Sequence, residues 1–227
     1  MTASVSGWRE HPAVPYVAPF AAFLLLLVAA QYLGIPERAE TVGRFFALAA
    51  VLYFFSRGAI DLRISRPAGT VLLGVGVFAL WVAPDMLWPH YRESVLFQNA
   101  LFGVRSTLSL AAVHDPVVLA FRTARAVLIV PLVEELFWRA WLMRWLISPD
   151  FQSVPLGTYG RASFWITALL FASEHGAYWD VGLATGIIYN WWMLHTRSLG
   201  DLIWIHAITN ACLCAYIIAA HRWEYWM

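Results

Sequence analysis

The chain has 227 residues, of which 61% are hydrophobic, 16% aromatic and only 13% charged. This composition lies far outside the average of soluble globular domains and indicates an integral membrane protein. The formal net charge is +1 without a basic block, so the sequence lacks the electrostatic footprint of a nucleic-acid-binding protein. All 15 basic residues are Arg, which excludes Schiff-base chemistry on a lysine and a P-loop lysine.

Apolar stretches along the chain predict the fold. A helix needs roughly 20 apolar residues to cross a bilayer, and about seven such helices fit this length. They are predicted at about residues 17–33, 42–56, 69–88, 117–147, 162–178, 181–196 and 202–220. We therefore expect an all-α, polytopic transmembrane bundle that forms one membrane domain over residues 1–227. Residues 17–116 would supply N-terminal helices and a connection, and residues 117–220 the core helices.

The fourth predicted helix and the arginine-rich loops set the expected topology. Pro131 is predicted to kink the fourth helix, and a split at this point would give eight spans. The positive-inside rule places the loop with Arg57, Arg63 and Arg66, and the region 139–161, in the cytoplasm. With seven spans the N-terminus would then lie inside and the C-terminus outside.

Two adjacent carboxylates and an arginine interrupt the apolar run of the fourth helix. Glu135 and Arg139 are four residues apart, which predicts an ion pair on one helix face. Glu134 lies about 100° round the helix and is free for another task. A Glu–Arg pair inside a membrane helix often has a structural role alone, whereas a second carboxylate must find a partner elsewhere, be protonated or face water.

Two further pairs have the spacing of one helical turn. Phe171 shares a face with His175, and His206 shares a face with Asn210. Glu134 could act as a general base, His175 as a neutral imidazole, and His206 with Asn210 as hydrogen-bond donors. Together they could activate water and stabilise an oxyanion, without a serine or cysteine nucleophile. Each histidine alone would more often be an interhelical hydrogen-bonding group.

Three motifs in this order resemble the CPBP family of CAAX proteases and bacteriocin-processing intramembrane proteases, which includes the Ras-converting endopeptidase. The motifs are Glu-Glu-x-x-x-Arg, Phe-x-x-x-His and His-x-x-x-Asn, and the resemblance covers roughly residues 130–215. It extends to the segment 182–202, in which a glycine-containing helix ends in the turn Thr196-Arg197-Ser198-Leu199.

The resemblance implies an intramembrane endopeptidase with its catalytic residues on three or more helices of the C-terminal half. It implies that Glu134 activates water with help from His175, that His206 and Asn210 form the oxyanion hole, and that the remaining motif residues are supporting ones. The supporting residues are Glu135, Arg139 and Phe171. The implied substrate is a membrane-associated protein or peptide in a bacterial inner membrane. The small size also resembles the exosortase-associated bacterial subgroup, which would imply a sorting-system partner protein.

Several alternatives remain open from the residues. Glu134, His175 and His206 form a His-His-Glu set of the type that binds hydrolytic zinc, but the sequence lacks a His-Glu-x-x-His arrangement. By its resemblance to the family, we favour a mechanism without a cofactor. The same residues could instead hold together a non-catalytic toxin-immunity or binding protein. A proton-relaying transporter would predict inverted repeats, and the sequence shows no such symmetry.

Three expectations concern the surroundings of the site. Water must reach the carboxylate, so the cavity is expected to open on the cytoplasmic side, where the arginine-rich loops lie. Glu174 should point about 100° away from His175 and be an interfacial group. Tyr189 and Asn190 on the following helix could line the cavity.

Overall fold

The computed structural model describes residues 11–99 and 108–226, and these residues form seven long helices and no strand. The helices are α1 Val14–Leu33, α2 Glu37–Ser56, α3 Pro67–Leu87, α4 Pro116–Trp145, α5 Arg161–Ser173, α6 Trp179–Thr196 and α7 Leu199–Ala220. The predicted all-α polytopic bundle is therefore confirmed. Part of the predicted connection between α3 and α4, residues 100–107, lies outside the described residues.

Five of these helices are long and apolar enough to cross a membrane, namely α1, α2, α3, α4 and α7. Helix α5 has only 13 residues and ends at Ser173, earlier than the predicted end at residue 178. At 1.5 Å per residue it spans about 20 Å, which is less than the roughly 30 Å of a hydrocarbon core. The turn that follows has Gly176 at a φ of 51°.

Helix α4 runs without a break over 30 residues, so the split that would create an eighth span does not occur. Pro131 has no N–H to donate, and its ring would clash with the carbonyl one turn earlier. The helix accommodates this by widening into a π-helical turn over Arg125–Ile129, just before the proline. A second π-helical segment covers Leu136–Leu142, directly after the two carboxylates. Such segments occur frequently at functional sites.

Helices α3 and α7 pack closely along one another. A Cβ added at Gly74 of α3 would lie 2.8 Å from the side chain of Ile208 on α7, so only glycine allows this approach. The hydroxyl of Thr209 donates to the Gly74 carbonyl at 3.0 Å. This contact places the middle of α7, which carries His206, against the middle of α3.

The carboxylate of Asp201 anchors the start of α3 to the start of α7. It accepts hydrogen bonds from the backbone N–H groups of Ser65 and Arg66, at 2.7 and 2.9 Å, and from the Thr70 hydroxyl at 2.7 Å. The first N–H groups of a helix have no intrahelical partner. Here the buried side chain of Asp201, from another helix, accepts hydrogen bonds from N–H groups at the start of α3.

Contacts between the loops define two ends of the bundle. At the first, which we call the arginine-loop end, the loop 57–66 meets the turn between α6 and α7, where the Ser198 hydroxyl donates to the Arg63 carbonyl. At the second, the tail end, buried Arg92 pairs with Asp85 and Asp180, and the Tyr225 hydroxyl of the C-terminal tail donates to Asp85. The loops therefore alternate between the two ends, as an antiparallel bundle requires.

Replacing Asp201 with alanine should destabilise the protein, because it leaves two backbone N–H groups and a hydroxyl without their acceptor. We expect a loss of about 2–4 kcal/mol, from roughly 1–3 kcal/mol for each buried group left unsatisfied, reduced by rearrangement. Asp201→Asn should lose less, since its amide oxygen can still accept. The measurement is thermal unfolding in detergent, with Asp61→Asn, an exposed carboxylate in the adjoining loop, as the control. Equal melting temperatures for Asp201→Ala and the control would contradict this role.

Candidate active site

The carboxylate of Glu135 is fully buried and joins two helices. Its Oε1 accepts a hydrogen bond from the Arg139 guanidinium at 3.2 Å, so the predicted ion pair is present. The same oxygen also accepts from Nδ1 of His206 on α7, at 2.9 Å. The Glu135 side chain therefore links α4 to α7 and fixes the orientation of the His206 ring.

Arg139 is fully buried and contacts side chains of two other helices, α5 and α6. Its Nε donates to the side-chain oxygen of Asn190 on α6, at 3.1 Å. Its guanidinium carbon lies 4.4 Å from the centre of the Phe171 ring on α5 and 5.4 Å from that of Tyr189 on α6. Cation–π contacts of this kind offset part of the cost of removing the charge from water. Phe171 thus supports the charged pair as well as sharing a face with His175.

His175 is held by the end of α5 and by close packing against α6. Its Nδ1 lies 2.8 Å from the Phe171 carbonyl oxygen. Because a carbonyl only accepts, Nδ1 carries the proton, which leaves Nε2 of the neutral ring as an acceptor. A Cβ at Gly182 would lie 3.1 Å from the imidazole, so the absence of a side chain there makes room for the ring.

The four predicted catalytic residues line one cavity of about 170 Å³, which we call the inner cavity. Glu134 reaches it from α4, His175 from the turn after α5, and His206 and Asn210 from α7. Asn210 donates one amide hydrogen to the Ala126 carbonyl at 2.8 Å, which leaves its second amide hydrogen for another acceptor. The structure therefore brings the three motifs together around one space, with Tyr189 also on its wall.

Glu134 differs from its neighbour in having no strong partner. It is 8% exposed, and its Oε2 is buried without a hydrogen-bond partner among the residues that the structure describes. Oε2 of Glu135 likewise has no such partner, but Oε1 of Glu135 is held by both Arg139 and His206. An unsatisfied buried carboxylate oxygen is costly and is rare in folded proteins. Glu135 is thus fixed by its pairing, whereas Glu134 is left available to a bound molecule.

A second, larger space reaches Glu134 and His175 from the other side of α4. This outer groove has a volume of about 610 Å³ and is bounded by α1, α2, α4 and the turn after α5. It extends to Ile35 and Glu37, which lie at the tail end. The inner cavity is likewise lined by residues near the tail end, including Tyr225 and Trp226. Both spaces are thus lined by residues toward the tail end, and the side of the membrane on which the cavity opens stays a prediction.

Glu174 is exposed, as expected for an interfacial group, but it also lines the outer groove beside Glu134 and His175. The indole N–H of Trp138 donates to its Oε2 at 3.1 Å. The sequence predicted Glu174 as an interfacial group, because a regular helix would turn it about 100° away from His175. Because α5 ends early, at Ser173, Glu174 and His175 do not have the orientation that a regular helix would give them. The position of Glu174 next to a motif histidine was the feature of the sequence that could have indicated its place at the site.

The zinc alternative was tested against the arrangement of the donors. Within residues 11–99 and 108–226, no three His, Cys, Asp or Glu side chains are grouped so that they could hold a metal ion. The set of Glu134, His175 and His206 lines the inner cavity without meeting this condition. The donors as placed do not fit zinc, and we derive no step through a metal.

Comparison with protein-family models matches residues 116–212 to the model described as type II CAAX prenyl endopeptidase, Rce1-like. The match includes all seven motif residues discussed above, from Glu134 to Asn210. No curated protein and no solved structure matches the chain. The match begins at the first residue of α4, so α1 to α3 lie outside it.

A methyl group at residue 182 should disturb the site without unfolding the protein. Gly182→Ala forces the His175 ring to move by a few tenths of an ångström, and we expect catalysis to fall about tenfold, since small misplacements of catalytic groups are costly. The helix itself should gain about 1 kcal/mol from the better helix former. Gly76→Ala on α3 is the matched control, because nothing lies within 4 Å of an added Cβ there.

Initial rates and melting temperatures of the two glycine variants are compared with the wild type. A rate for Gly182→Ala equal to that of the control would show that the ring position at His175 does not matter for turnover.

Proposed function

With residues 116–212 the chain belongs to the Rce1-like family of type II CAAX prenyl endopeptidases, and from this premise we propose that it hydrolyses a peptide bond with water activated by Glu134. The observation that carries the proposal is the convergence of Glu134, His175, His206 and Asn210 on one buried cavity. The fold with five membrane-capable helices agrees with a multi-pass membrane protease that acts on a membrane-associated peptide or protein.

Glu134 is the proposed general base. Its unpartnered carboxylate oxygen can take a proton from a water molecule in the cavity while the water oxygen attacks the scissile carbonyl carbon. His175 supports this step, since its Nε2 lone pair can accept a hydrogen bond from the same water. The protonated Glu134 then gives its proton to the leaving amine when the carbon–nitrogen bond breaks.

His206 and Asn210 are the proposed oxyanion stabilisers. Because Nδ1–H of His206 is donated to Glu135, the ring can donate from Nε2 only as the imidazolium. The Glu135 carboxylate, which also pairs with Arg139, lies beside the His206 ring and would stabilise that cation. Asn210 adds its second amide hydrogen. Donors fixed before the reaction stabilise the developing negative charge without a cost of reorganisation.

The location in a bacterial inner membrane, the exosortase-associated subgroup and the sorting-system partner stay predictions. They would be tested by identifying the proteins that co-purify with the chain from its native membrane.

Neutralising the proposed base should abolish hydrolysis. We expect Glu134→Gln to lower peptidase activity by about 10²–10⁴-fold, the usual contribution of a general base. His206→Ala should lower it by about 10²–10³-fold, as for other oxyanion-hole donors. The assay follows cleavage of a library of membrane-anchored peptides by mass spectrometry. Glu93→Gln, an exposed carboxylate that pairs with His90 outside both cavities, is the control and should keep full activity.

The same preparations are assayed with and without a chelator, and their zinc content is measured. Activity that survives chelation in protein without stoichiometric zinc supports the glutamate–water mechanism. Stoichiometric zinc together with loss of turnover on chelation would make the same side chains metal ligands. A wild-type protein that cleaves nothing in the library would favour the non-catalytic immunity or binding function.

A further inference from the structure

The outer groove has one apolar wall and one wall that carries the site. Helix α1 contributes Phe23, Leu24, Leu27 and Ala30, which follow one another at helical spacing. Leu24 and Leu27 are each 41% exposed within the protein. The opposite wall carries Glu134, Glu174 and His175. The groove thus presents a long apolar surface directly beside the proposed base.

The charges of the groove are unbalanced. Four carboxylates line it against two guanidiniums, so the formal charge with all groups ionised is 2 − 4 = −2. The members are Glu37, Glu40, Glu134 and Glu174 against Arg44 and Arg122. Arg44 forms an ion pair with Glu40, and Arg122 donates to the Trp226 carbonyl, so both cations already have partners. A positively charged group is the ligand that best complements such a surface.

Glu174 is the carboxylate best placed to meet that ligand. Glu37 is engaged with the hydroxyl of Ser109, and Glu40 with Arg44, whereas Glu134 is the proposed base. Glu174 is held on one oxygen by the Trp138 indole, and its exposed side chain lines the groove next to His175. A neutral N–H donor orients a carboxylate without cancelling its charge. Glu174 therefore remains able to pair with a cation from outside the protein.

We propose that the outer groove binds an apolar peptide segment that carries a Lys or Arg side chain close to the scissile bond, and that Glu174 selects this basic residue. The inference rests on the proposed peptidase function for the scissile bond, but the binding part does not require turnover. The apolar part of the segment lies along α1, where it is shielded from water. The basic group pairs with Glu174, which sets the register of the peptide relative to Glu134.

Binding is tested first, on the Glu134→Gln variant so that no hydrolysis intervenes. The probe is a fluorescent polyleucine peptide with one central Lys, and its matched partner has norleucine, which is neutral, at the same position. We expect the Lys peptide to bind about tenfold more tightly than the norleucine peptide. Adding Glu174→Gln should remove this difference, whereas adding Glu93→Gln should leave it unchanged.

Charge reversal gives the sharper arm of the test. In the Glu134→Gln, Glu174→Arg double variant, a peptide with a central Glu should bind better than the Lys peptide. Folding of each variant is checked by its melting temperature. Equal binding of the Lys and norleucine peptides to the parent, or a loss that is the same for both peptides in Glu174→Gln, would overturn the proposal. Binding of neither peptide would also overturn it, and would leave the groove to membrane lipid.

Cleavage then separates this inference from the proposed function. In protein that retains Glu134, Glu174→Gln should lower kcat/KM about tenfold for substrates with Lys at the varied position. The kcat/KM for substrates with norleucine there should not change. If no substrate is cleaved while the binding difference persists, the peptidase proposal fails and the groove proposal stands. If cleavage depends on Glu134 but ignores the charge at the varied position, the groove proposal fails alone.

Discussion

The arrangement of the bundle depends on one buried carboxylate. A charge without contact with water is expensive, and the carboxylate of Glu135 is stable only because Arg139 and His206 both donate to it. Arg139 extends the network to Asn190 and to the ring of Phe171. Helices α4, α5, α6 and α7 are therefore held in one mutual arrangement by a single set of polar contacts, in a part of the protein where apolar packing alone is weakly directional.

This network explains why two adjacent glutamates have different properties. Glu135 uses its position four residues before Arg139 to satisfy its charge on its own helix. Glu134, turned about 100° away, lines the cavity and lacks the pairing with Arg139 and His206 that holds Glu135. A buried carboxylate without a partner is unfavourable, and it is kept only where the surrounding structure holds it in place. Helix α4 is irregular directly after Glu135, where a π-helical segment begins at Leu136.

The sequence predicted what depends on local periodicity. Hydropathy located all seven helices, and the four-residue spacing predicted the pairing of Glu135 with Arg139. The bond between Glu135 and His206 joins residues 71 positions apart, so no local pattern could indicate it. The position of Glu174 beside His175 on the outer groove was missed for a related reason, because it depends on the early end of α5 and its following turn. Long-range packing decides such features, and a hydropathy profile does not record it.

The match to the protease family and the geometry of the groove divide the chain in a consistent way. The residues of the proposed chemistry lie on α4, α7 and the turn after α5, within residues 116–212, and the apolar wall of the groove lies on α1, outside that range. Helix α1 is anchored near its start, where Phe20 is buried and stacks on Phe137 of α4 with ring centres 3.9 Å apart. Farther along α1, the groove-lining leucines remain exposed.

Helix α1 packs against residues 130–142 of α4, but it takes no part in the hydrogen bonds that join Glu135 to Arg139 and His206. Substitutions at its groove-lining leucines, which are exposed, would therefore change the apolar wall and leave that network in place. If the groove proposal holds, α1 affects which segment is presented to Glu134, whereas the proposed chemistry stays on the C-terminal helices.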